Sequence, residues 1–214
     1  MLAFIIRRLV QAVIVMVVVS LIAFLMFRFV GDPINQMVGI ETSVEQREAL
    51  RERLGLNDSL VVQFGRFIAN AAQGNFGVSY QFRQPVADLL AARLPATLEL
   101  SFVSALFALL VGIPMGVYTG LNRGTFLSNV FLTVSLVGIS LPVFLIGILL
   151  IFVFAVNLQW LPSFGRGQVV DLGWWTTGLL TESGLKALIL PAITLGLFQM
   201  TLIMRLVRSE MMEV

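Results

Sequence analysis

The sequence predicts an all-α fold: a polytopic membrane helix bundle with about four transmembrane helices and a small helical extracytoplasmic cap. The first observation behind this is composition. Of the residues, 58% are hydrophobic and only 12% are charged, about half the charged fraction of an ordinary soluble domain. The second is the presence of charge-free apolar runs long enough to cross a hydrocarbon core of about 30 Å, which takes about 20 helical residues. The third is what the runs lack: backbone groups cannot be left unpaired in lipid, so such runs cross as helices. The mean hydropathy of +0.95 agrees.

The first span runs from Leu9 to about Val30, with Gln11, Ser20 and Arg28 as its polar members. It is longer than the apolar core of a secretory signal, about 7–15 residues, and no small-residue cleavage site follows. It is therefore read as a retained anchor. The second span runs from about Leu98 to Tyr118, with Glu99 at its mouth. The third lies inside the uncharged stretch Phe126–Val156, and the fourth runs from about Ala187 to Met204. The chain then divides into residues 1–30 (N-terminus and first span), 31–97 (outer cap) and 98–214 (membrane region). The last contains helices near 98–118, 130–156 and 187–204, with an outer loop at 157–186. Arg7, Arg8, Arg123, Arg205 and Arg208 fall on one side by alternation. The positive-inside rule makes that side cytoplasmic, N-terminus included.

In the outer segment, Thr42 followed by Glu45 has the spacing of a capping box, and Gly55 is a C-terminal stop. Glu48 and Arg51 are at i,i+3 spacing. A second amphipathic helix fits Asp58–Gln73, capped by Asp58 or Asn57. Leu60, Val61, Phe64, Phe67, Ile68 and Ala71 form its apolar face. Gly74 and Gly77 punctuate a turn. Pro85 opens a third short helix that Pro95 ends.

The sequence also excludes several chemistries. It contains no cysteine and no histidine, which removes disulfides, thiolate chemistry, His-based metal sites and Ser-His or Cys-His catalysis. Gly138-Ile139-Ser140 resembles a nucleophile site only superficially, because the serine has no standard base. No catalytic residue and no metal ligand is expected. The lone lysine, Lys186, lies in no Walker A loop, so no nucleotide binds by that motif. The net charge of +2 and the scattered arginines give no basic stripe for nucleic acid. No Asp, Glu or Lys lies mid-span, where an ion-coupled transporter usually places an acid.

Pro114, Pro142 and Pro191 each interrupt an apolar run and read either as hinges or as static kinks. Gly138, Ser140, Pro142 and Gly147 cluster in the third span, the best candidate for lining a pathway. Ser135, Ser140, Thr194, Gln199 and Thr201 could touch solute or hydrogen-bond between helices. Arg28 and Glu99 are near span ends, within snorkelling reach of the interface.

Several strings in order carry a resemblance. They begin with Arg7-Arg8-Leu9, Gly31-Asp32-Pro33, Leu54-Gly55-Leu56 and Gly74-Asn75-Phe76-Gly77-Val78-Ser79. Pro85-Val86, Arg93-Leu94-Pro95-Ala96-Thr97-Leu98 and Gly138-Ile139-Ser140-Leu141-Pro142 follow. Trp160-Leu161-Pro162, Leu190-Pro191-Ala192-Ile193-Thr194-Leu195-Gly196 and the segment from Arg205 to Val214 complete the series. Together they resemble the membrane permease subunit of ABC importers for dipeptides, oligopeptides, glutathione or nickel. The resemblance implies a bacterial inner-membrane protein that forms part of a translocation pathway and is not itself an enzyme. It implies a second permease subunit, two ATPase subunits carrying the ATP and Mg²⁺, and an extracytoplasmic solute-binding protein. Peptide is the first expectation for the cargo; nickel is less expected without His or Cys ligands. Ser135, Ser140, Pro142 and Gln199 are the expected pathway residues, and Arg205, Arg208 and Glu210 stand near the ATPase-coupling region.

Members of that family carry about six spans, with a cytoplasmic coupling loop after the segment that corresponds to 205–214. The sequence given stops there, so a truncated product or a longer natural protein is expected, and residues 1–214 are not expected to transport alone. A membrane scaffold or assembly protein is the alternative, and a channel is disfavoured because no filter sequence is visible.

Overall fold

The structure is a computed structural model that describes residues 1–30, 34, 38, 42–79 and 81–213, the side chains of 27–30 excepted. Gly31-Asp32-Pro33, the Arg28 side chain and Val214 lie outside the described residues. The described residues are overwhelmingly helical, and three helices are long and apolar enough to cross a membrane, or four when a bent pair is counted as one span. The chain divides into two units, Met1–Ala91 and Ala92–Val214.

In the first unit, α1 spans Leu2–Val30. Residues all around it are exposed, among them Val13, Val15, Met16 and Val19. A helix apolar on every side needs lipid or protein around it. Helix α2, Val44–Arg53, is capped by Ser43, not Thr42: the Ser43 hydroxyl accepts from the Gln46 N–H at 3.3 Å. Serine and glutamine three apart make the same capping pattern one residue later. Glu45 adds negative charge in the first turn, and its own backbone N–H and then Ser43 hold its carboxyl below the ordinary value. Glu48 accepts from the Asn57 side chain at 3.1 Å. The stop at Gly55 is as expected. With φ +64° it donates to Glu52 O at 2.9 Å, while Leu56 donates to Arg51 O at 3.0 Å. These two bonds are a Schellman closure.

Helix α3 spans Leu60–Ala72 and follows Ser59, whose side chain makes no cap bond. Asp58, expected as the cap, pairs instead with Arg66 at 2.7 Å. Gln63 is buried and donates to Leu56 O at 2.9 Å and Asp58 O at 2.7 Å, fastening the connection between α2 and α3. Of the expected apolar face, Phe64, Phe67, Ile68 and Ala71 are partly buried, whereas Leu60 and Val61 are exposed. Phe64 and Phe67 lie 5.6 and 6.1 Å from the Phe24 ring of α1, centroid to centroid. Gly74 and Gly77 take positive φ, and Asn75 Oδ1 accepts from the Gly77 N–H at 3.1 Å.

Helix α4, Val86–Leu121, runs straight through Pro95 and Pro114. The expectation that Pro95 ends a separate short helix is therefore corrected. Proline removes one backbone bond but leaves the rest of the ladder, so an otherwise strong helix continues past it. At 1.5 Å per residue a helix of 36 residues is about 54 Å long, well beyond the hydrocarbon thickness.

In the second unit, the expected third span is not one helix. Helix α5, Phe126–Ser140, capped by Thr125, stops before Pro142, and α6, Val143–Leu150, starts after it. The two directions differ by 108°. Leu141 is extended (φ −91°, ψ 137°), as a residue before proline prefers. Helix α6 continues into a π-helical stretch, Ile151–Asn157, whose wider turn closes with Leu158 N–H to Val153 O at 3.0 Å. Two short strands, β1 (Val170–Asp171) and β2 (Thr176–Thr177), pair antiparallel. Helix α7, Glu182–Glu213, passes through Pro191 and extends beyond both ends of the expected fourth span.

The core sits along α7. Ala108, Met115, Met200 and Met204 form its buried apolar cluster. A row of small residues on α4 (Ser104, Ala108, Gly112, Gly116 and Gly120) is buried at four-residue spacing. A Cβ on Gly112 would meet Met200 O at 2.8 Å, one on Gly116 would meet Val207 Cβ at 2.7 Å, and one on Gly120 would meet Met211 Cβ at 2.7 Å. The other neighbours repeat this: Gly138 of α5 faces Thr201 Oγ1 at 2.8 Å and Gly147 of α6 faces Thr194 Cγ2 at 3.3 Å. Side chains without Cβ let helix backbones approach at the distances where dispersion contacts are made.

Gly55→Ala should destabilise the α2 terminus by about 1–2 kcal/mol, because an L side chain resists the left-handed conformation. Amide hydrogen exchange at position 55 and at Leu56 should then quicken, while exchange in α7 stays unchanged.

Candidate functional site

Two arrangements stand out in the Ala92–Val214 unit. The first is a buried polar centre where the outer loop meets the spans. Glu99, the second residue of the expected second span, does not snorkel: it is 5% exposed. Its carboxylate accepts from Arg166 Nη2 at 3.3 Å, Trp175 Nε1 at 3.3 Å and the Gly178 N–H at 3.2 Å. A buried carboxylate persists only with such partners, which is the physical reason for the correction. Arg166 also donates to Thr176 Oγ1 at 2.9 Å and to the Thr176 carbonyl. The loop is fastened again at the start of α7. Gln168 N–H donates to Ser183 Oγ at 2.9 Å and Gly184 N–H to Thr181 Oγ1 at 3.1 Å. Glu99, Arg166, Gly165 and Gly178 line a small cavity together with apolar side chains that include Leu100, Leu188 and Pro191.

The second arrangement is the broken span against α7. Ser135 is buried, and its hydroxyl is spent on Leu132 O of its own helix at 2.8 Å. Thr194 and Thr201 likewise donate to Leu190 O at 2.7 Å and Leu197 O at 3.0 Å. All three hydroxyls are thus bonded within their own helices. Ser140, Pro142 and Gln199 are exposed on this chain. Ser140 and Pro142 share the break between α5 and α6. Arg205 and Glu210 are exposed on the last turns of α7, and Arg208 is half-buried. The Arg208 Nε is buried without a hydrogen-bond partner.

Sequence reasoning missed both the Glu99 centre and the glycine row. The row had a signal: Gly112, Gly116 and Gly120 repeat at the spacing that puts small residues on one helix face. The centre had none, since Arg166 and Glu99 lie 67 residues apart.

Glu99→Ala should strand Arg166 and the Gly178 N–H at a buried site, at a cost of about 3–5 kcal/mol. Limited proteolysis should then cut within residues 158–181 at concentrations that spare the unaltered chain. The double variant Glu99→Ala/Arg166→Ala should recover part of the resistance.

Residues 1–101 match the family described as the N-terminal part of the membrane component of binding-protein-dependent transport systems. Residues 112–214 match the inner membrane component of those systems. The chain is 32% identical over 227 residues to the dipeptide transport system permease protein DppB of Alkalihalophilus pseudofirmus, covering 100% of this chain and 68% of that protein. It is 34% identical over 215 residues to the glutathione transport system permease protein GsiC of Escherichia coli K12, covering 100% of this chain and 65% of the relative. Against a candidate peptide transport system permease protein of Brucella abortus the identity is 37% over 217 residues, with 100% of this chain and 66% of the relative covered. The chain thus spans about 66% of the length of that last protein. With both portions matched and the aligned spans shared end to end, this chain belongs to the family of inner-membrane components of binding-protein-dependent transport systems.

Proposed function

We propose that the protein containing this chain is the permease subunit of an ATP-driven importer and forms part of the translocation pathway for peptides. The observation that carries this reading is the tandem family match along a bundle of charge-free spans, together with relatives named for dipeptide, peptide and glutathione transport. The bundle geometry supports it. The break between α5 and α6 leaves Ser140 and Pro142 exposed beside α7, whose Gln199 is also exposed. A polar face on an otherwise apolar span belongs against water, solute or a partner helix rather than lipid. In this reading a second permease subunit completes the pathway, and Ser140, Pro142 and Gln199 line it.

Energy comes from two partner ATPase subunits, which hold ATP and Mg²⁺. The exposed Arg205 and Glu210 and the half-buried Arg208 at the end of α7 stand near their docking region. A solute-binding protein delivers cargo on the opposite side and sets most of the selectivity. The N-terminus with Arg7 and Arg8 is cytoplasmic, by the distribution of arginines in the short loops.

Detergent pull-down of the full-length protein should bring down a second permease and ATPase subunits, identified by mass spectrometry. In vesicles containing that complex, dipeptide uptake should require ATP. Gln199→Ala and Ser140→Ala should lower uptake while the complex stays assembled, and Arg205→Glu/Arg208→Glu should uncouple ATPase activity from uptake. Recovery of the protein without any ATPase, alongside dipeptide uptake that survives its deletion, would contradict the proposal.

A further inference from the structure

The loop between α6 and α7 presents large apolar side chains to its surroundings. Trp160, Phe164, Trp174 and Leu180 are 64%, 90%, 86% and 67% exposed. Of its two charged residues, Arg166 is turned inward to Glu99, while Asp171 stays exposed, its Oδ1 accepting locally from the Gly173 N–H at 2.8 Å. The outward surface is therefore apolar apart from the single carboxylate of Asp171.

Two ring contacts fix the height of the tryptophans relative to the spans. Trp160 lies 6.1 Å from Phe154, which belongs to the last turns of the broken span. Trp174 lies 5.9 Å from Trp175, whose indole donates to Glu99, the residue just before the charge-free stretch of α4 that begins at Leu100. Both rings thus stand at span ends, where hydrocarbon gives way to headgroups. The exposed apolar surface is also continuous with the span itself, through Phe152, Val156 and Leu158. Indole rings favour this depth, because the apolar body meets acyl chains while the N–H reaches water or headgroups.

We infer that this loop is a lipid-interface anchor: Trp160 and Trp174 sit in the headgroup boundary, while Trp175 faces inward as a ligand of Glu99. The loop is then held from both sides, by an ion pair inside and by lipid outside. The inference rests on the chain's membrane placement and not on its cargo or its ATPase partners.

The test uses the chain's three tryptophans. The full-length protein is placed in phospholipid nanodiscs with no other protein present, and insertion is checked by co-elution with the disc. Lipids brominated near the headgroup end of the acyl chain should quench most of the emission of the unaltered protein. They should quench much less the Trp160→Phe/Trp174→Phe variant, in which Trp175 is the tryptophan left within residues 1–214 and any tryptophan outside them is replaced by phenylalanine. Aqueous iodide should show the weaker effect on all forms. The inference is overturned if the inserted protein shows iodide-accessible, bromine-insensitive Trp174 emission. It is equally overturned if Trp174 becomes shielded only when an extracytoplasmic protein is added. Either result would leave the permease reading standing, since insertion is scored separately.

Discussion

The constraint on which the rest of the Ala92–Val214 unit depends is the absence of Cβ atoms where helices meet α7. In lipid, helices gain nothing from hiding apolar surface against one another, because acyl chains are as apolar as leucine. Association then rests on close packing, and close packing rests on backbone approach. Gly112, Gly116 and Gly120 of α4, Gly138 of α5 and Gly147 of α6 all abut α7 side chains or carbonyls. Gly196 of α7 returns the favour to Phe107. One helix therefore organises three neighbours, and each crossing uses the same device.

This arrangement explains why the polar residues of the spans divide as they do. Ser104, Thr119, Ser135, Thr194 and Thr201 return their hydroxyl protons to carbonyls of their own helices, so they can be buried at crossings without needing partners elsewhere. Ser140, Pro142 and Gln199 are not absorbed into the packing and stay exposed. At the end next to residues 158–181, the buried Glu99 replaces packing by charge: it gathers Arg166, Trp175 and Gly178 from that loop and so holds it against α4.

The apolar runs made the spans legible because their signal is local and large. Gly55 was legible for the same reason, as helix stops follow from one residue's conformational freedom. The cap at Ser43 was missed by one residue, since Thr42 and Ser43 offer the same hydroxyl to the same turn. Pro95 and Pro142 show the limit more sharply. The same residue type is carried inside α4 and breaks the third span, and what decides is the surrounding packing rather than the proline. Glu99 was misread as a snorkelling side chain because its partners lie far along the chain, where no periodicity reaches. Ser140 and Gln199 are exposed, and no local pattern says what covers them.

The most direct measurement on the packing claim compares two alanine substitutions in the full-length protein by thermal unfolding in detergent. Gly116 has no room for a methyl group, with Met204 O at 2.8 Å from its Cβ position, whereas Gly65 on α3 has nothing within 4 Å. Gly116→Ala should lower the Tm, and Gly65→Ala should leave it level or raise it, since alanine is the better helix former by about 1 kcal/mol. A Gly116→Ala protein as stable as the unaltered one would contradict the account.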